Sequence, residues 1–153
     1  MISSLSFNSL EKIIKLRVEI FRQVGKINSE TEAQNMLNVN RVFFRENLSH
    51  DRLHGYFEEK DGKIISIALG IRQGYPPINA GDTGQYAYIF NVYTAKEFRN
   101  KGKALNLIKK LMAYYQEIGL RKVVLDANED SENLYRKIGF VKRHFVMEYV
   151  FGC

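Results

Sequence analysis

The apolar residues of the chain keep two different rhythms. From Asn8 onward Leu10, Ile13, Ile14, Phe21 and Val24 fall on one face of a helix, with Glu11 three residues after Asn8 completing a capping pattern and Gly25 as the stop. Ser29-x-x-Glu32 is a second capping box. It opens a helix whose stripe is Ala33, Met36, Leu37, Phe43 and Phe44. The rhythm then changes, and Leu53–Lys60 and Lys63–Arg72 read as two strands joined at Asp61-Gly62 in a tight hairpin turn. Gln73 to Gly84, with both prolines, is loop chemistry. Gln85–Thr94 is a long aromatic and β-branched strand. After Gly102 a helix carries Ala104, Leu105, Ile108, Leu111, Met112 and Tyr115 inward and stops at Gly119. Lys122–Ala127 is a strand with an apolar centre, and a strand-helix-strand unit of this length places it parallel to Gln85–Thr94 through a right-handed crossover. A short helix from about Asp130 to Ile138 ends at Gly139, and Val141 to Phe151 holds β-formers enough for closing antiparallel strands.

Composition narrows the class of protein without naming its chemistry. The 153 residues, 45% hydrophobic and 26% charged, suit a single domain spanning 1–153. No apolar run approaches the ~20 residues of a bilayer span, and the first ten residues lack the pattern of a signal peptide, so the expected location is cytoplasmic with no membrane partner. The one cysteine, Cys153, makes no intrachain disulfide. His50, His54 and His144 lack metal-ligand spacing, and no metal is expected. The net charge of +6 admits a nucleic-acid partner, but the basic residues are scattered pairs and no RNA-binding motif accompanies them. An acidic cofactor accounts for the excess as well.

The chemistry concentrates where the Gln85–Thr94 strand runs through Arg99, Asn100, Lys101, Gly102, Lys103 and Ala104 into a helix. A helix start leaves backbone N–H groups unpaired at the positive end of its dipole, which makes an anion site, and a glycine lets a phosphate approach the backbone closely. Lys96, Arg99, Lys101 and Lys103 raise the local positive potential. A Walker A loop is excluded because Ala104 follows Gly102-Lys103 and Glu97 occupies the upstream glycine position; a dinucleotide fingerprint is excluded because no G-x-G-x-x-G occurs. On these residues alone an ordinary charged turn remains an open reading.

A second segment, Asn128-x-x-Ser131-x-x-Leu134-Tyr135-x-Lys137-x-Gly139-Phe140, stands about thirty residues downstream of Arg99-x-x-Gly102-x-Ala104. Together, in this order and at this separation, the two resemble the paired motifs of the GCN5-related N-acetyltransferases (GNAT superfamily). The likeness extends from about Gly55 to the end, and Tyr88 to Thr94 looks like one branch of small bacterial members. The resemblance implies a layered α/β fold with a central mixed, mostly antiparallel sheet, a splayed parallel strand pair, and flanking helices. The donor it implies is acetyl-CoA and the acceptor a primary amine of a small molecule or protein, in a monomer or homodimer. The segment Phe21 to Thr31 would border the acceptor.

By the same resemblance, backbone N–H groups from Arg99 to Ala104 would hold the pyrophosphate, and Val92, Tyr93 and Thr94 would pair with the pantetheine arm as in strand addition. Asn128 and Ser131 would lie along that arm. The Val92 N–H is the candidate oxyanion donor, Tyr135 the candidate acid that protonates the departing thiolate, and Asn91 a group that could orient the acceptor. Direct transfer in a ternary complex is favoured over an acetyl-cysteine route, since the only thiol is terminal. Gln85–Thr94 lacks the glutamate that many members carry, so the general base is left open between Glu19, Asp126 and a water chain. That gap also leaves open a non-catalytic acyl-CoA-binding module. Lys103 and Asn100 depart from the aliphatic residue and the glycine common at those positions.

Overall fold

The structure is a computed structural model that describes residues 1–143 and 146–152. In chain order it consists of β1 (Ile2–Ser4), α1 (Phe7–Gln23), α2 (Glu30–Ser49), β2 (Leu53–Lys60), β3 (Lys63–Gly74), β4 (Gln85–Thr94), a 3₁₀ turn (Lys96–Phe98), α3 (Lys103–Glu117), β5 (Val123–Leu125) and α4 (Glu129–Lys137). The strands form one sheet in the order β1-β2-β3-β4-β5, antiparallel except for the parallel β4/β5 pair. This is the mixed, mostly antiparallel sheet with flanking helices that the motifs imply. No helix among the described residues is long and apolar enough to cross a membrane.

Two cores lie on opposite faces of the sheet. On one, Leu10, Ile13 and Ile14 of α1 and Phe44 of α2 meet Leu53, Phe57, Ile67 and Leu69. On the other, Leu107, Ile108, Leu111 and Tyr115 of α3 and Tyr135 of α4 meet Ala68, Ala87 and Ile89. The central strand β3 is covered on both sides, which is why Ile64 to Ile71 is continuously buried and does not alternate.

The helix reading needs correction in phase and at the caps. The α1 cap is Ser6 with Ser9, whose hydroxyl accepts the Ser6 N–H at 3.0 Å, while Glu11 is drawn to Arg41 of α2 at 2.5 Å. Val24 and Phe43, assigned to apolar stripes, are 62% and 47% exposed. The inward row of α2 instead includes the buried Asn40 and Asn47. Each donates Nδ2 to the carbonyl four residues back, Met36 and Phe43 respectively, at 2.8 Å, and accepts an arginine Nε with Oδ1, Arg17 at 3.1 Å and Arg52 at 2.9 Å. A buried amide satisfied in this way is compatible with a core, but an apolar pattern does not register it.

The sheet edges differ as well. β1 was not anticipated; it is a three-residue exposed strand paired with β2 from Ile2↔Glu58 to Ser4↔Tyr56. The expected closing strands over Val141 to Phe151 are absent among the described residues, with His144 and Phe145 outside them. Val146, Met147, Tyr149 and Phe151 are 81% or more exposed. β-Propensity expresses packing against a neighbour, and among the described residues the three-residue β5 pairs only with β4.

Gly70 of β3 marks the tightest approach between sheet and helix. A Cβ there would lie 2.9 Å from two ring carbons of the fully buried Tyr115 and run into its hydroxyl. The Tyr115 hydroxyl lies 3.3 Å from Nδ1 of His54, whose Nε2 is 3.2 Å from Asp51. Burial holds the His54 imidazole below its ordinary pKa, against the opposing pull of Asp51. Gly70→Ala is expected to destabilise the fold by about 1–3 kcal/mol through overpacking, read as a lower urea midpoint at unchanged slope. The unfolded chain protonates His54 near pH ~6.5 and the folded chain only lower, so this contribution is complete above that pH and fades as pH falls. Urea midpoints compared at pH 7.5 and pH 5 should therefore drop for the native chain and drop less for His54→Gln.

Candidate functional site

The site begins with a fault in β4. β3 and β4 are in register from Gly74↔Gln85 to Leu69↔Phe90 and again at Ile67↔Tyr93, so Asn91 and Val92 together face the single residue Ala68. This is a two-against-one β-bulge. Asn91 takes φ +54, the left-handed region that asparagine tolerates better than most side chains. The bulge breaks the alternation of the strand. Phe90 packs on the α1/α2 core, Val92 packs on the α3 core, and Asn91 turns to the same side as Phe90, where its Oδ1 accepts Nη1 of Arg17 at 3.1 Å.

The parallel pairing with β5 stops at the same place. Its rungs are Ala87↔Val123, Tyr88↔Val124 and Ile89↔Leu125, after which β4 runs on to Thr94 paired with β3. Where the strands part, a cleft of about 280 Å³ opens. Asn91 and Val92 line its β4 side and Leu125 and Asp126 its β5 side; Asn128, Ser131 and Tyr135 close it from α4. The cleft thus unites Asn91, Val92, Asn128, Ser131 and Tyr135. It does not include Tyr93 or Thr94; the Thr94 hydroxyl lies 2.9 Å from that of Ser66 on β3.

Tyr135 is 7% exposed and packs its ring 5.8 Å from that of Phe140. Burial pushes its phenol pKa up, so it holds its proton through neutral pH. Asn128 is the cap of α4: its Oδ1 accepts the Ser131 N–H at 2.9 Å, and its own N–H is accepted by the Ser131 hydroxyl at 3.2 Å. Each of these side chains is therefore engaged with the other residue's backbone, and together they fix the start of α4 against the cleft.

Of the two carboxylates considered as bases, only Asp126 lies in the cleft, where its Oδ2 accepts the Tyr88 hydroxyl at 2.6 Å. That bond, reinforced by burial, pushes the Tyr88 phenol up to about 12. Glu19 is exposed on α1 and lies 3.6 Å from Arg22.

The second half of the site is the uncapped start of α3. Asn100 and Gly102 adopt left-handed φ of +61 and +73, and Gly102 caps the helix with no side chain. The first turn of α3 carries no acid, whereas α4 opens with Glu129, Asp130 and Glu132. Space at Gly102 is open, with no atom within 4 Å of where a Cβ would stand. Arg99 donates Nε to the Thr94 carbonyl at 2.9 Å, tying this turn to the end of β4. Lys103 turns away, forming a half-buried 2.7 Å ion pair with Glu58 of β2. Its side chain is thus a strut, and the cationic cluster read from the sequence reduces to Lys96, Arg99 and Lys101.

One cleft residue, Tyr88, and the residue bonded to the cleft's Asn91, Arg17, escaped the sequence reading. A signal for Arg17 existed: it stands three or four residues from Ile13, Ile14 and Phe21, a cation on an otherwise apolar stripe. Nothing in the sequence paired Tyr88 with Asp126.

Known proteins share this architecture. Two solved structures, a predicted acetyltransferase from Clostridium acetobutylicum crystallised with acetyl-CoA and a GCN5-related N-acetyltransferase from Ralstonia eutropha, each superpose with a TM-score of 0.81. Both are 21% identical; the first alignment covers 98% of this chain and 95% of the other, the second 99% of each. These are likenesses of fold. An aminoglycoside N(6')-acetyltransferase type 1 from Serratia marcescens is 28% identical over 93 residues, a match that spans 58% of this chain and 62% of that protein. The model of the acetyltransferase (GNAT) family matches residues 11–140, a span that holds both motifs and the cleft between them, and the chain belongs to that family.

Proposed function

We propose that the chain transfers the acetyl group of acetyl-CoA directly to a primary amine of a small molecule or protein. The observation that carries this reading is the bulge-opened cleft, which brings the Val92 backbone and the buried Tyr135 together, beside an α3 N-terminus left without a side-chain cap. Backbone N–H groups of the Arg99–Ala104 turn hold the pyrophosphate, with Lys96, Arg99 and Lys101 adding positive potential. The pantetheine arm runs along β4 where β5 has left it, paired with the strand edge near Val92 to Thr94.

In the reaction the amine nitrogen bonds to the thioester carbon, and the Val92 N–H stabilises the negative oxygen that forms. One such donor is typically worth ~3–4 kcal/mol. Collapse breaks the carbon–sulfur bond, and the thiolate takes the proton of the Tyr135 hydroxyl, which solvent then restores. The proton lost by the nitrogen passes to Asp126, directly or through water. Asp126 thereby serves where β4 itself offers no carboxylate.

Calorimetric titration should show micromolar binding of acetyl-CoA and coenzyme A but not of ATP; absence of coenzyme binding would remove the reading. Binding without release of free thiol across amine acceptors would leave an acyl-CoA-binding module. Tyr135→Phe is expected to lower kcat by ~10²-fold or more with the coenzyme A Kd nearly unchanged, and an unchanged kcat would take Tyr135 out of the mechanism. Gly102→Glu should abolish coenzyme binding while the fold survives, because the space is open and an acid at a helix start suits the dipole, which partly offsets the ~1–2 kcal/mol cost of a side chain at the left-handed φ. Retained affinity in calorimetry would mean that the cradle lies elsewhere.

A further inference from the structure

Arg17 is a half-buried cation without an acidic partner among the described residues. Arg22, Arg41, Arg52, Arg72 and Arg136 each pair with a carboxylate. Arg17 instead donates Nε to Asn40 Oδ1 and Nη1 to Asn91 Oδ1, both at 3.1 Å, and among the described residues it forms no ion pair. Its guanidinium lies 4.6 Å from the ring centre of Phe21 and 5.5 Å from that of Phe90. Burial lowers its pKa, but an arginine keeps its charge. Of its five N–H donors, two are spent on these amides.

Asn91 carries the complementary gap. Its Oδ1 is taken by Arg17, while its Nδ2 is buried with no hydrogen-bond partner among the described residues. Unpaired donors on two touching side chains, one of them in the wall of the cleft, call for an acceptor of hydrogen bonds that carries negative charge. A strut joining α1, α2 and β4 would not need a charge; a neutral amide could bridge Asn40 and Asn91 without the cost of desolvating a cation. Across the cleft Asp126 offers the opposite sign.

We propose that Arg17 and the Asn91 amide form the anion-binding end of the acceptor pocket, and that the acceptor is a small amine bearing a carboxylate or phosphate. This rests on the acetyl-transfer reading above. The guanidinium fork matches either oxyanion, and the amine end of the same molecule lies toward Asp126 and the Val92 backbone. A polycation such as an aminoglycoside would meet Arg17 with like charge, so this pocket selects against it.

The test is thiol release from acetyl-CoA with matched acceptors: amino acids against their carboxamides, glucosamine 6-phosphate against glucosamine, and kanamycin as polycation. An anionic acceptor should exceed its neutral partner by about 10- to 100-fold in kcat/KM, the range that hydrogen bonds to a charged group supply. The two pairs distinguish carboxylate from phosphate. Arg17→Gln should erase the preference through KM, while its coenzyme A Kd stays at the native value. Asn40→Asp, which supplies Arg17 with an internal carboxylate and leaves the α1–α2–β4 strut in place, should erase it too. Equal rates within every pair, a preference for kanamycin, or a preference that survives both substitutions would each overturn the anion pocket alone; turnover of no acceptor while coenzyme A still binds would overturn it together with the acetyl-transfer reading and leave an acyl-CoA-binding module. Failure of the native chain to bind coenzyme A would overturn it together with the acetyl-transfer reading.

Discussion

The bulge at Asn91 and Val92 is the constraint on which the rest of the site depends. One extra residue against Ala68 turns two consecutive side chains of β4 to the same face, and β4 parts from β5 beyond Ile89. Without it Asn91 would point toward α3, Arg17 would lose a hydrogen-bond acceptor, and the parallel strands would have no cause to separate at this level. The left-handed residue in the bulge is held from outside the sheet by the 3.1 Å bond from Arg17. Local backbone strain of this kind persists only where neighbouring elements over-determine it.

Helix termini divide the remaining work. The starts of α2 and α4 are sealed, by Ser29 accepting from Glu32 and by the Asn128/Ser131 pair, and each carries acids in its first turn. The start of α3 has neither a side-chain cap nor an acid. Its unpaired N–H groups are the ones available to an anion. The Arg99 bond to Thr94 ties that terminus to the same strand that carries the bulge, so the two halves of the site share one support.

Charge within the site is arranged in opposition. Asp126 is bonded to Tyr88 and Arg17 to Asn91, so each is anchored to a residue of β4. Lys103, which looks like part of a cationic cluster, is consumed by Glu58. Net charge therefore said less about the ligand than the placement of individual charged groups around the cleft.

Elements whose evidence is local were legible in the sequence. The two β-hairpin strands, the long aromatic strand, the α3 helix, the short α4 helix and the glycine turn between β4 and α3 each depend on residues a few positions apart, and turn chemistry and periodicity report such neighbours directly. The motifs likewise marked Val92, Gly102 and Tyr135 because their spacing is a property of the chain. Only tertiary structure decided that Asn40 and Asn47 face a core, that Glu11 serves Arg41 and not a cap, that Val141 to Phe151 finds no strand to join among the described residues, and that Arg17 meets Asn91 across 74 positions. In each of these the energy of a side chain depends on which distant partner is available to satisfy or bury it, and that information is created when the sheet and helices pack.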